Sequence, residues 1–79
     1  PLTQAAAEAA ALKSADPLIL EGDDQVSVTG CSSVAGPGYS CDLRLRPAQT
    51  NSVCRWSVVV RMTDNLPTVV NYSHVDCVG

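Results

Sequence analysis

Residues 39 to 46, YSCDLRLR, alternate without interruption, with Tyr39, Cys41, Leu43 and Leu45 on one side and Ser40, Asp42, Arg44 and Arg46 on the other. A period of two over that length is the pattern of a half-buried β-strand. Residues 53 to 62 repeat it, with Cys54, Trp56, Val58, Val60 and Met62 on the apolar side and Arg55, Val59 and Arg61 opposite. Residues 25 to 31, QVSVTGC, alternate as a further strand, and residues 68 to 78 form a fourth. Only the start of the chain breaks this period. Residues 3 to 15, TQAAAEAAALKSA, are rich in the best helix former, with Thr3 placed to cap the run and Asp16-Pro17 to end it. Leu2, Ala5, Ala9 and Leu12 fall near one side of that helix and form its expected packing stripe. Leu18-Ile19-Leu20 either plugs the sheet edge or begins a short helical turn after Asp16.

The elements imply an α+β domain, one N-terminal helix packed on a four-stranded antiparallel meander with its second face open to water. Register follows from the turns. If the last hairpin folds between Asn65 and Leu66, Cys54 falls opposite Cys77, Trp56 opposite Val75 and Met62 opposite Val69. That register turns Asn71 and Ser73 towards the core, so it calls for a bulge or for polar partners at the sheet edge. In the first hairpin, pairing about Gly36 sets Cys31 opposite Cys41 but turns Val26 and Val28 to the wrong side. A one-residue bulge near Gly30 restores both valines to the side of Leu43 and Leu45. Residues 47 to 52, PAQTNS, let the middle strands pair with Leu43 facing Trp56 and Leu45 facing Cys54.

Composition explains why the cysteines matter. A single domain of 79 residues with no phenylalanine and one tryptophan buries only about 60% of the surface its unfolded chain exposes. Four cysteines in so short a chain point to two disulfides and an oxidising compartment: secreted, periplasmic or cell surface. The gaps between them, nine, twelve and twenty-two residues, lack the close pairs of a zinc site or a Cys-x-x-Cys dithiol. Of three possible connectivities, the strand registers favour Cys31 with Cys41 and Cys54 with Cys77. Each closes a loop worth about 3 kcal/mol of chain entropy.

Motifs with chemistry are few. His74 is the sole histidine, and neither Asp76 nor Ser73 completes a catalytic set locally. Gly36-Pro37-Gly38 is too short for a phosphate loop, and Glu21-Gly22-Asp23-Asp24 lacks the ligand spread of a calcium loop. Asn71-Tyr72-Ser73 matches a glycosylation sequon. The expectation is therefore no catalytic residue, no metal and no cofactor. Residues 1 to 42 carry six carboxylates against Lys13, whereas residues 43 to 79 carry four arginines against Asp64 and Asp76. Arg44, Arg46, Arg61, Tyr72 and His74, with Arg55, Val59 and Val70 beside them, are the candidate binding residues of the outer sheet face, which suits a protein partner. A net charge of −3 argues against nucleic acid. No apolar run approaches a membrane span. The alanine-rich start carries no signal peptide, so an exported form would be a mature chain, with an upstream lipid anchor compatible with it.

A helix followed by Cys31, then Gly38-Tyr39-Ser40-Cys41 opening one strand, Cys54-Arg55-Trp56 opening another and a closing Val75-Asp76-Cys77 resembles small secreted or lipoprotein domains of actinobacteria, which are similar to cystatin-like helix-on-sheet folds. The resemblance covers residues 25 to 79 and implies a compartment and a fold more than an activity. The leading expectation is a non-enzymatic secreted or cell-envelope domain that binds a protein or supports a larger exported chain. The alternative is a small extracellular inhibitor of a hydrolase, presenting residues 32 to 38 and 64 to 67 as loops.

Overall fold

A computed structural model describes residues 2–19, 22, 24–48 and 50–79. Leu20 and the Glu21 and Asp23 carboxylates of the acidic turn lie outside the described residues.

Helix α1 spans Gln4–Ser14. Thr3 caps it as expected, its hydroxyl oxygen accepting the Ala6 amide at 3.1 Å. The Ala15 amide closes the other end onto Leu12 and Lys13 carbonyls, and a 3-10 turn, Asp16–Leu18, follows with Pro17 in its first residues. The packing stripe differs from the expected one. Ala7 and Ala11 are fully buried and Ala15 nearly so, whereas Ala5, Ala9 and Leu12 are exposed. Leu12 sits roughly 140° round the helix from Ala7 at ~100° per residue, on the far side. The helix lies so close to the sheet that its contact line holds only methyl groups. Ser14, on the sheet side, satisfies its hydroxyl by donating to the Ala11 carbonyl.

Among the described residues the strands are β1 (Gln25–Val34), β2 (Gly38–Arg46), β3 (Val53–Thr63), β4 (Leu66–Tyr72) and β5 (Asp76–Val78). They form one antiparallel sheet in the order β1-β2-β3-β4, with β5 also pairing β3. This is the expected α+β helix-on-sheet architecture with one strand more. The first hairpin carries the expected bulge: Val26 pairs Leu45 and Val28 pairs Leu43, then the register shifts by one at Thr29 so that Cys31 meets Cys41. Leu43 faces Trp56 and Leu45 faces Cys54, again as the sequence implies. Both disulfides join directly facing residues, Cys31 to Cys41 and Cys54 to Cys77, with Cα atoms 4.0 Å apart in each.

Boundaries move in two places. Strand β1 runs to Val34, so the first turn shrinks to Ala35-Gly36-Pro37. The last hairpin turns about Asp64-Asn65, one residue earlier than expected, with both residues at positive φ and Thr63 pairing Leu66. That two-residue turn sets Val60 opposite Val69 and Met62 opposite Pro67, instead of Met62 opposite Val69. Cys54 still meets Cys77 because the returning chain takes up the difference. Between those rungs β3 advances six residues and its partner eight, with one extra residue at Val70 and another in the 73–75 break. The single fourth strand of the sequence reading is thus two strands, and Val75 lies in the break instead of facing Trp56.

The core is a thin layer: Cys41, Leu43, Leu45, Trp56, Val58 and Val60 from the sheet meet Ala7, Ala11 and Ala15, with Val26, Val28, Tyr39, Cys54 and Val69 around them. An eleven-residue helix is about 16 Å long, while the eleven residues of β3 reach ~36 Å, close to the 39 Å long dimension of the molecule. The helix therefore covers about half of the sheet's length.

Candidate anion-binding face

The face turned away from the helix is built by the charged halves of β2 and β3. Register lines up Ser27, Arg44, Arg55 and Asp76 in one row across β1, β2, β3 and β5. The neighbouring row holds Gly30, Asp42 and Ser57. Directly opposite residues of an antiparallel pair have Cβ atoms only about 4.5–5.5 Å apart, so the Arg44 and Arg55 side chains rise side by side as like charges.

Neither arginine makes an ion pair or hydrogen bond with the acids beside it, although Asp76 faces Arg55 across β3 and β5. Asp42 receives the Ser57 hydroxyl at 2.6 Å. Asp76 lies 4.0 Å from His74 Nε2, both side chains almost fully in solvent, where such a contact contributes little. Arg44 is half-buried, and its Nε is the one buried side-chain polar atom without a hydrogen-bond partner among the described residues.

The sheet is irregular on both flanks of these rows. On one side the bulge displaces Thr29, whose hydroxyl donates to the Asp42 carbonyl at 3.3 Å. On the other, β4 stops at Tyr72 and the chain crosses through Ser73 before β5 begins. The two breaks frame a shallow groove of about 570 Å³, with Arg44, Arg55, Ser57 and His74 among its lining. Bulges are over-represented beside functional sites, where they re-aim side chains and end pairing.

The structure divides the binding residues that the sequence grouped together. Arg44, Arg46 and His74 fall at one end of the outer face, with Arg46 two residues along β2 from Arg44 and opposite Gln25. Arg61 is six residues along β3 from Arg55, ~20 Å away, and its guanidinium donates to the Ala35 carbonyl at 3.2 Å across Gly36 and Gly38. It closes the first turn. Tyr72 pairs Val58, whose side chain is in the helix-side core, and Asn71 pairs Val59 of the outer face, the reverse of the expected facing. The Val70 bulge inverts them. Arg55, which the sequence placed beside the candidate residues, is the second member of the central pair, as the expected facing of Leu43 with Trp56 implies.

A second feature escaped the sequence reading. Leu66, Val70, Tyr72, Val75 and Val78 are all exposed along the β4–β5 edge. A strand with valines on both faces, Val69 and Val70, signals such an edge, but a buried strand gives the same pattern.

Comparison of the chain with family models, with curated proteins and with solved structures found no match in any of the three. Among the described residues no group of three or more His, Cys, Asp and Glu side chains is arranged to hold a metal ion, and no helix is long and apolar enough to cross a membrane. Two disulfides are compatible with an oxidising location.

Proposed function

We propose that this chain is a non-enzymatic domain of an oxidising extracytoplasmic compartment, secreted or held at the cell envelope, that binds a partner protein through the outer face of its sheet. The observation that carries the reading is the Arg44–Arg55 pair, two arginines on facing positions of β2 and β3 that line a groove, the half-buried Arg44 with an unpartnered Nε and Arg55 exposed. Like charges directly opposite destabilise a sheet; Asp76 opposite Arg55 and Asp42 in the next row relieve part of that repulsion, and an anion bound between the arginines relieves the rest. All four cysteines are bonded, so no thiol nucleophile is available, and His74 lines the groove with its side chain in solvent. Both fit a binding role. The resemblance read from the cysteine and aromatic spacings alone, to small actinobacterial secreted or lipoprotein domains with cystatin-like folds, points to the same compartment.

The test is capture from envelope and culture fractions with the chain immobilised, the bound protein identified by mass and the pair rebuilt from purified components. Replacing Arg44, Arg46 and Arg55 together by glutamine is expected to weaken the rebuilt complex at least tenfold, while Glu8→Gln on the solvent side of α1 leaves it unchanged. A folded triple variant that binds as well as the parent removes the outer face from the interaction.

A second reading, inhibition of an extracellular hydrolase, draws on one observation. The Ala35-Gly36-Pro37 and Asp64-Asn65 turns lie at the same end of the sheet, and Arg61 of β3 ties the first of them down. Two rigid adjacent turns form a wedge that can enter a cleft. A panel of proteases and β-lactamases that shows no inhibition at micromolar chain removes this reading.

A further inference from the structure

Within the partner-binding reading, on which this step rests, we infer that Arg44 and Arg55 form a receptor for a single carboxylate, supplied by a Glu or Asp side chain or a chain terminus of the partner protein. The argument begins with the donors. A guanidinium offers its N–H groups in a planar fork matched to the two oxygens of a carboxylate. Here two such forks rise from facing positions of β2 and β3, close enough to share one carboxylate. That anion turns a like-charge repulsion into two attractive contacts.

The surroundings select the charge of the guest. Asp42 and Asp76 border the pair along neighbouring positions, and the chain carries a net charge of −3. A monoanion is neutralised by the two arginines with one positive charge to spare for those acids. A dianionic phosphate or a polyanion meets the same acids with its excess charge. The hydroxyls suit the smaller guest as well: Ser57 is committed to Asp42 and Thr29 to a backbone carbonyl, so the free donors of the groove are those of the arginines and His74.

Both edge strands break beside the neighbouring row, which gives a guest access to the pair from that side. A regular β1 would continue flush across the groove, and a continuous β4 would pair along β3 past Ser57. The Thr29 bulge and the Ser73–Val75 crossing instead open the sheet beside the Asp42–Ser57 row, next to the Arg44–Arg55 pair, which itself stays flanked by Ser27 and Asp76.

The probe is the purified, oxidised chain with ¹⁵N-labelled arginine, titrated with N-acetylglutamic acid α-amide, with N-acetylglutamine amide and with inorganic phosphate, while the Arg Nε–Hε signals are followed. The expected result is a saturable, millimolar shift of the Arg44 and Arg55 signals with the glutamic acid derivative and none with the glutamine derivative. Arg44→Gln abolishes the response at Arg55, and Arg55→Lys weakens binding at least threefold because the planar fork is lost. Equal shifts at Arg46 and Arg61, no saturation, or persistence of the Arg55 response in Arg44→Gln overturns the receptor. Phosphate saturating at lower concentration than the carboxylate overturns the choice of guest. The two layers separate cleanly: failure of this titration, with partner binding still sensitive to the triple arginine variant, removes the carboxylate and leaves the surface. Carboxylate binding with an insensitive partner does the reverse.

Discussion

Ser73 and Ser57 exchange two hydrogen bonds, the Ser73 amide donating to the Ser57 carbonyl at 2.8 Å and the Ser57 amide donating to the Ser73 hydroxyl at 2.7 Å. The second bond replaces a backbone acceptor by a side chain, which is how β3 keeps its ladder where β4 ends and β5 has not begun. Ser73→Ala leaves the half-buried Ser57 amide without that acceptor. The expected cost is about 1 kcal/mol, read as a lower urea midpoint at unchanged m-value, together with faster hydrogen exchange at the Ser57 amide. Ser73→Thr keeps the hydroxyl and is expected to keep the exchange protection. Equal protection in the alanine variant would show that the crossing is held by other means.

The closeness of helix to sheet makes a directional prediction about α1. Ala11 is fully buried against the sheet, so Ala11→Leu forces extra methylene groups into a filled layer, and a loss of about 1–3 kcal/mol is expected. Ala9→Leu on the exposed side is expected to change the thermal midpoint by less than the error of two or three repeats, since leucine is nearly as good a helix former as alanine. The reversed order would favour the Leu2, Ala5, Ala9 and Leu12 stripe, and thermal unfolding of the two variants decides it.

What could be read in advance follows from this contrast. The strands were legible because Leu43, Leu45, Trp56, Val58 and Val60 alternate with charge, and a one-residue slip of such a strand turns every side chain to the wrong face. The disulfides then fixed two rungs, and a fixed rung at each hairpin was enough to require the bulge between Val28 and Gly30. The helix phase was not legible. In a run where Ala5, Ala6, Ala7, Ala9, Ala10 and Ala11 all qualify as apolar, the only large residue, Leu12, pulls the expected stripe towards itself, and steric closeness excludes it from the contact line. The register of the last hairpin failed for a related reason. One fixed rung at Cys54–Cys77 cannot reveal two compensating insertions nearer the turn, and those insertions determine which of Asn71 and Tyr72 faces out. The arginine pair was legible: all four arginines were placed on the outer face, and Leu43 against Trp56 with Leu45 against Cys54 already sets Arg44 opposite Arg55, but only the structure shows that Arg61 is engaged at the far turn.

The glycines separate backbone need from mere presence. Gly36 has a φ of +81° in the first turn, and a Cβ on Gly38 would come within 3.0 Å of the Val60 carbonyl oxygen. Gly36→Ala is expected to cost about 1 kcal/mol through left-handed strain. Gly38→Ala is expected to cost about 1–3 kcal/mol, because backbone atoms of β3 must move. Gly30, next to the bulge, has open space within 4 Å and no positive φ. The bulge uses no glycine freedom, so Gly30→Ala is expected to be neutral or to stabilise by up to about 1 kcal/mol by restricting the unfolded chain. Chemical denaturation of the three variants checks the order, and a destabilised Gly30→Ala would return the glycine to the bulge.

The two disulfides differ in exposure, and that orders their chemistry. Cys41 is fully buried beneath α1, whereas Cys77 lies at the exposed edge of the sheet. Thiol–disulfide exchange requires a reductant to reach a sulfur atom, so Cys54–Cys77 opens from the native state while Cys31–Cys41 waits for the helix to lift. Mild reduction in the absence of denaturant, followed by alkylation and peptide mass analysis, is expected to label Cys54 and Cys77 first. Loss of that bridge frees the longer loop, worth about 3 kcal/mol in the unfolded chain, and β5 is paired to β3 at only three positions, the cysteine rung included. The partly reduced chain is therefore expected to show fast amide exchange in residues 76–78 while the helix and the first hairpin stay protected. Labelling of Cys31 and Cys41 first, or of all four together, would mean that α1 opens more readily than the β5 edge and that the helix–sheet layer is the weaker of the two.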